Sequence, residues 1–432
     1  MYVIGIIGVA ASFVLMFLGM PIGFALALVG GVGVIFLASI SAGLSSIPSL
    51  SWTWGTNYTF SCIPMFVLMG LIVARSGIAK QLFSVAYKWF GRVPGGLGIA
   101  TIIACGFFGA VSGAASAAAV TMGAICYPEM KRYNYDPAFA AGTIAIGATL
   151  DTMIPPSVAM VFYGMLTDAS VGKMFIAGFV PGFLEVIFFC LAIQLMTRRN
   201  PSLAPVSPVA YPMRDKLRSL TGLAPTLVIF LLTFGGLYAG VFTPTEAGAA
   251  GAFSAIIVTL AMRQLSWKGA LAALSDSLRT AGMVFMMLMG AMIFNRFITM
   301  SGLATALSQW VTSMKLSPLA FVSLVMLLYL PLGALMDEAA MIMLTIPVYL
   351  PTLNALGIDL IWFGILSILS VQIGMVAPPV GLITFVTQGT IKEVSVAAVY
   401  KGVLPFILVA IVVMAILIAV PELSLVLVKT MK

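Results

Sequence analysis

Two proline pairs restrict this chain more than any other feature of its sequence. Pro155 and Pro156 lie in Thr149 to Ser157, "TLDTMIPPS", and Pro378 and Pro379 lie in Gln372 to Gly381, "QIGMVAPPVG". Each pair sits inside a run apolar enough to cross a membrane, and a proline in a helix interior costs about 3 kcal/mol. Both helices must therefore break. The Pro155 ring would collide with the Asp151 carbonyl, and Pro156 has no N–H for the Thr152 carbonyl; Pro378 and Pro379 stand in the same relation to Gly374 and Met375. Carbonyls left free at membrane depth are tolerated only inside protein or beside a wet cavity, where they make good cation ligands. One such pair could be a simple kink. Two matched pairs point to a repeated device.

The composition places these breaks in a bilayer. Of the 432 residues, 62% are hydrophobic and 8% charged, and the mean hydropathy is +1.16. That describes a polytopic membrane protein. The start, "MYVIGIIGVAASFVLMFLGM", has no basic region before its apolar stretch and reads as a first span, not a cleavable signal. A net charge of +8 fits cytoplasmic loops that orient a membrane protein, and nucleic acid is not an expected partner. Cys62, Cys105, Cys126 and Cys190 stand singly in apolar segments, as buried thiols do. The absence of histidine removes the commonest general base and metal ligand.

Along the chain, 2–19, 22–40 and 57–74 are the first three spans, and 78–92 is an amphipathic helix suited to the membrane interface. Its apolar face carries Ile78, Leu82, Val85 and Trp89, and its polar face Lys80, Lys88 and Arg92. Leu97 to Tyr127 has no charge and is interrupted by "SGAAS" at Ser112–Ser116. As one helix it would be about 46 Å long, beyond a hydrocarbon core of about 30 Å. The sequence therefore predicts a re-entrant hairpin over about 95–130, its small residues letting the two arms pack closely. The proline-broken helix follows at 137–166, then a span at 174–196, and a proline-rich linker at 197–218.

Residues 219–432 repeat 1–196. Pro21 and Pro244 stand 223 apart, as do Pro155 and Pro378; Gly109 of "FFGAVSG" and Gly333 of "LPLGALMD" stand 224 apart. A nearly constant offset over so long a stretch is an internal duplication. It predicts a second hairpin at about 317–352 and a second broken helix at 359–390. Five crossings in the first copy invert the second, giving repeats of opposite topology. With the N-terminus periplasmic, all but five of the 21 lysines and arginines fall on the cytoplasmic side, the exceptions being Lys173, Arg296, Lys315, Lys429 and Lys432.

Membrane-embedded carboxylates are costly and mark function by default. Asp337 and Glu338 fall at the tip of the second hairpin, and Asp151 in the first break. Arg296 either snorkels to the surface or faces a cavity, where a guanidinium holds a carboxylate in a two-pronged contact. Glu246 in "TPTEAG" reads as a helix cap.

The motifs "FSCIPMFVLMG", "FFGAVSG", "IPPS", "FIAGFVPGF", "TPTEAG" and "APPVG", in that order over almost the whole chain, resemble the large, DctM-like membrane subunit of tripartite ATP-independent periplasmic (TRAP) transporters. The resemblance implies an all-α, elevator-type importer of organic acid anions in the bacterial inner membrane. It implies coupling to Na⁺, a small DctQ-like membrane subunit and a periplasmic DctP-like binding protein. It places one sodium site at Ser112, Gly113, Ala114, Asp151, Ile154 and Pro156, and a second at Gly333, Asp337, Met375, Ala377 and Pro379. Arg296, Asp337, Ser157 and Ser170 become candidates for substrate contact. Two positions depart from the family pattern: Ala114 stands where a serine is usual, and Asp151 where a glycine is usual.

An enzyme is disfavoured by the lack of histidine, of HExxH and of a phosphate-binding glycine loop. A channel would need a continuous polar pore, whereas here polar groups gather at two hairpin tips. A self-sufficient sodium and carboxylate symporter of similar hairpin architecture is the nearest alternative.

Overall fold

The computed structural model describes residues 1–207 and 209–431; Pro208 of the expected linker and Lys432 at the end of the expected second repeat lie outside the described residues. The described residues contain helices and no strand. Eight helical segments among them are long and apolar enough to cross a membrane.

The first half contains α1 (Tyr2–Phe17), α2 (Ile22–Leu37), α3 (Ile40–Gly55), α4 (Cys62–Arg75), α5 (Ile78–Phe90), α6 (Gly96–Ser112), α7 (Ala115–Arg132), α8 (Pro137–Met153), α9 (Val158–Leu166) and α10 (Val171–Arg199). After α11 (Met213–Ser219), the second half runs α12 (Ala224–Phe230), a π-helical turn at Leu231–Gly235, α13 (Gly236–Tyr238), α14 (Pro244–Ala261), α15 (Trp267–Ser301), α16 (Leu303–Ser313), α17 (Pro318–Leu335), α18 (Glu338–Ala355), α19 (Leu360–Gly374), α20 (Leu382–Ile391), α21 (Val396–Ala419) and α22 (Glu422–Thr430).

The helices expected at the hairpins, the breaks and the amphipathic stretch are all present, and besides α11 in the expected linker two helices were not foreseen. One is α3, whose serines, glycines and Pro48 dilute its hydropathy below that of a span. Its counterpart is the start of α15, so the second half has one 35-residue helix where the first half has two helices separated by Thr56–Ser61. The other is α22, a short helix that follows Pro421. The stretch expected to be linker begins inside α10, which continues through Arg198 and Arg199; cations suit a helix C-terminus. It then folds onto α5, where Trp89 Nε1 donates to the Lys216 carbonyl at 3.2 Å. The expected Glu246 cap is present as a reciprocal pair: Thr243 Oγ1 accepts from the Glu246 N–H, and Glu246 accepts from the Thr243 N–H.

Contacts between the halves are reciprocal. Helix α2 packs on α15 and α14 on α4; α7 packs on α20 and α18 on α9; α8 packs on α21 and α10 on α19. The broken helices lie at the centre. Every residue from Phe139 to Met153 is buried, and so is every residue from Trp362 to Gly374. Each starts at an aspartate cap: Asp136 Oδ1 accepts from the Phe139 N–H at 2.8 Å, and Asp359 Oδ1 from the Ile361 and Trp362 N–H groups at 2.8 and 2.9 Å.

Candidate ion and substrate site

At the first hairpin tip α6 ends on Ser112, Gly113 takes a left-handed φ of +75°, and Ala114 is extended before α7 begins. A Cβ on Gly113 would stand 2.8 Å from the Pro156 carbonyl oxygen, so the tip needs glycine for space as well as for φ. Facing it, α8 stops at Met153, Ile154 is extended, and α9 resumes after Ser157. No backbone N–H donates to the Asp151 and Thr152 carbonyls among the described residues, as the two prolines require. Asp151, 1% exposed, reaches from α8 to the hairpin: its Oδ2 accepts from the Ala114 N–H at 2.8 Å. Its Oδ1 and the Ser157 hydroxyl have no partner among the described residues. Ser112, Gly113, Pro156 and Ser157 line a cavity of about 10 Å³, room for roughly one water or a bare ion.

The second unit uses the same parts differently. Helix α17 ends at Leu335, and Asp337 is the N-cap of α18, its Oδ1 accepting from the Ala340 N–H at 2.7 Å. Gly333 passes Gly374 backbone to backbone, a Cβ on Gly333 lying 3.2 Å from the Gly374 Cα. The Gly381 N–H donates to the Ala334 carbonyl at 2.9 Å and ties the break to the hairpin. The expectation that the second proline pair leaves the Gly374 and Met375 carbonyls unpaired does not hold. The Ala377 N–H donates to Gly374 and the Ile383 N–H to Met375, both at 2.9 Å. The chain after Gly374 curls into a tight turn, and the first turn of α20 brings a spare N–H back to it. Each carbonyl keeps a second lone pair.

Beside this unit lies a cavity of about 730 Å³, between the α1–α2 turn, α15 and the second hairpin. Methionines dominate its walls, among them Met20, Met283, Met286 and Met336, and Asp337 is its one ionisable lining group among the described residues. Glu338 does not line it, and its Oε2 has no partner among the described residues.

Ser112, Gly113, Ala114, Asp151, Pro156 and Ser157 thus converge, with the Ile154 backbone between them. Gly333 and Asp337 lie on the second hairpin, and Met375, Ala377 and Pro379 on the break that Gly381 ties to it. Two expected substrate contacts are not brought to the site. Arg296 is exposed, forms no ion pair among the described residues and does not line the large cavity. The face of α15 that packs on α2 uses Gly290, Phe294 and Phe297, which turns Arg296 outward. Ser170 is an exposed N-cap, its hydroxyl accepting from the Lys173 N–H at 3.4 Å. Sequence reasoning gave no role to Gln372 or Glu185, both fully buried and joined by a 2.9 Å hydrogen bond from Gln372 Nε2 to Glu185 Oε1. Their only signal is polarity inside apolar spans.

Buried, interrupted helices that meet small-residue hairpin tips in a multi-pass helical bundle define a membrane transport protein. The family model for the tripartite ATP-independent periplasmic transporter, DctM component, matches residues 9–423. The chain is 34% identical over 372 residues to the C4-dicarboxylate TRAP transporter large permease protein DctM of Pseudomonas aeruginosa, covering 85% of this chain and 86% of that protein. It is 30% identical to the sialic acid TRAP transporter large permease protein SiaM of Vibrio cholerae, over 96% of each chain. Among solved structures the Alcanivorax borkumensis YdaH transporter shares the fold, with a TM-score of 0.58 at 15% identity, covering 85% of this chain and 88% of that one. The chain belongs to the DctM family of TRAP transporter large permeases: it is a secondary-transporter subunit and not an enzyme.

Proposed function

We propose that the chain imports a small organic acid anion across the bacterial inner membrane, driven by Na⁺, and receives it from a periplasmic binding protein with the help of a small membrane subunit. Two inverted repeats, each with a re-entrant hairpin, would form a mobile unit that carries substrate in an elevator motion, with the N-terminus periplasmic. The observation that carries this reading is the meeting, twice over, of a hairpin tip with a proline-broken helix, with a carboxylate at each meeting, Asp151 buried and Asp337 half-buried.

The large cavity supports coupling to a cation. Asp337 is its one ionisable lining group among the described residues, so a carboxylate entering it meets a like charge unless a cation lies between them. Sodium at the Gly333, Asp337, Met375, Ala377 and Pro379 cluster would turn that repulsion into attraction. The first cluster, Ser112, Gly113, Ala114, Asp151, Ile154 and Pro156, would take a second sodium through carbonyls and the free Asp151 oxygen. The substrate class follows the relatives: a C4-dicarboxylate, as named for the Pseudomonas aeruginosa protein, or sialic acid, as named for the Vibrio cholerae protein.

Proteoliposomes holding the chain and both partner proteins, with an inward sodium gradient, should accumulate one of these anions, and omission of either partner should bring uptake near background. Full-rate uptake by the chain alone would favour the self-sufficient symporter instead. For orientation, Lys131→Cys should be labelled only from the cytoplasmic side and Asn354→Cys only from the periplasmic side. Labelling of both from one face would overturn the inverted repeat.

A further inference from the structure

Between the two candidate ion sites runs a buried hydrogen-bond chain. Thr152, 2% exposed, follows Asp151 in the last turn of α8. Its hydroxyl lies 2.9 Å from the Thr149 carbonyl and 3.3 Å from Gln372 Oε1. Gln372, two residues before the end of α19, turns its other face to α10, donating from Nε2 to Glu185 Oε1 at 2.9 Å. All three side chains are buried, and Glu185 Oε2 has no partner among the described residues.

The carboxamide is clamped from both ends. Glu185 takes its N–H, so Oε1 must face Thr152. The Thr152 hydroxyl has one proton and two acceptors. It can serve its own helix, at Thr149, or the other broken helix, at Gln372, but not both. This is a two-state element placed where both ion sites bias it. A cation drawing on Asp151 and the Ile154 carbonyl acts on the turn that holds Thr152. A cation drawing on Met375 acts on the turn that follows Gln372.

We infer that Thr152, Gln372 and Glu185 couple the two cation sites, so that filling one raises the affinity of the other. The Thr152 hydroxyl and the Gln372 carboxamide are positioning groups here and touch neither ion. The link has no counterpart elsewhere in the duplicated chain: at the offset of 224, Glu185 falls on Val409, which cannot accept a hydrogen bond through its side chain.

The inference rests on the sodium reading above, and one titration separates the two. Equilibrium binding of radioactive sodium to the full chain in detergent is followed at increasing sodium, with choline holding ionic strength constant. The wild type should respond sigmoidally, the second sodium binding about fivefold or more tightly than the first, the lower end of ordinary allosteric coupling. Thr152→Val, which keeps shape and removes the hydroxyl, should make the curve hyperbolic; Gln372→Leu should do the same, and Thr152→Ser should restore the sigmoid. Should Gln372→Leu not fold, the isosteric Thr152→Val decides alone. A sigmoid that survives Thr152→Val, or a hyperbolic wild type, overturns the coupling and leaves the sodium sites standing. A wild type indifferent to sodium overturns both.

Discussion

The two proline-broken units are built on one plan and finished in opposite ways. In the first, the carboxylate stands on the broken helix and reaches the hairpin: Asp151 accepts from Ala114. In the second it stands on the hairpin and caps its own helix: Asp337 accepts from Ala340. At the duplication's offset of 223 the counterpart of Asp151 is Gly374, which has no room for a side chain against Gly333. The first unit is sealed, with Ser112, Asp151 and Ser157 buried and two carbonyls unpaired among the described residues. The second pairs its carbonyls and opens on the large cavity through Asp337. Two similar cradles thus differ in where the acidic side chain stands: on the broken helix in the closed one, on the hairpin in the one that opens on the cavity.

The largest expected effect breaks the open unit. Asp337→Ala should lower uptake about 100-fold or more, and Asp337→Asn, which keeps an equally good helix cap, should lose uptake with little change in Tm. Equal loss of Tm in both variants would mean that the carboxylate serves packing. Next, Gly374→Ala should destabilise the chain by about 1–3 kcal/mol, because the new methyl group meets the Gly333 backbone. An unchanged Tm would show that the two glycines do not set the approach. The smallest effect is in the sealed unit. Asp151→Gly should leave sodium-dependent uptake working while the sodium concentration for half-maximal rate rises about tenfold. That is the size of one lost contact to a charged group, about 1.5 kcal/mol. Uptake that followed only a proton gradient in both wild type and Asp151→Gly would remove the sodium assignment.

The breaks, both hairpins and the Glu246 cap were legible because each is written locally: a proline pair, a cluster of small residues, a threonine three residues before a glutamate. What was not legible depends on distant partners. Arg296 points outward because Phe294 and Phe297 pack on α2, and helix periodicity cannot choose which face meets a partner some 260 residues away. The Met375 carbonyl is paired because Ile383 folds back onto it across the break. Gln372 finds Glu185 187 residues away. Helix α3 was missed for a local reason, since serines that donate to their own helix carbonyls can be buried yet read as polar.

The comparison stands or falls on whether both cradles hold a cation. Equilibrium binding of radioactive sodium to the purified chain, repeated on Asp337→Asn, measures this directly. Two sodium ions per chain, with one kept by the sealed unit in the variant, is the predicted result. Saturation at a single ion that Asp337→Asn leaves in place, or no saturable binding at all, would contradict it.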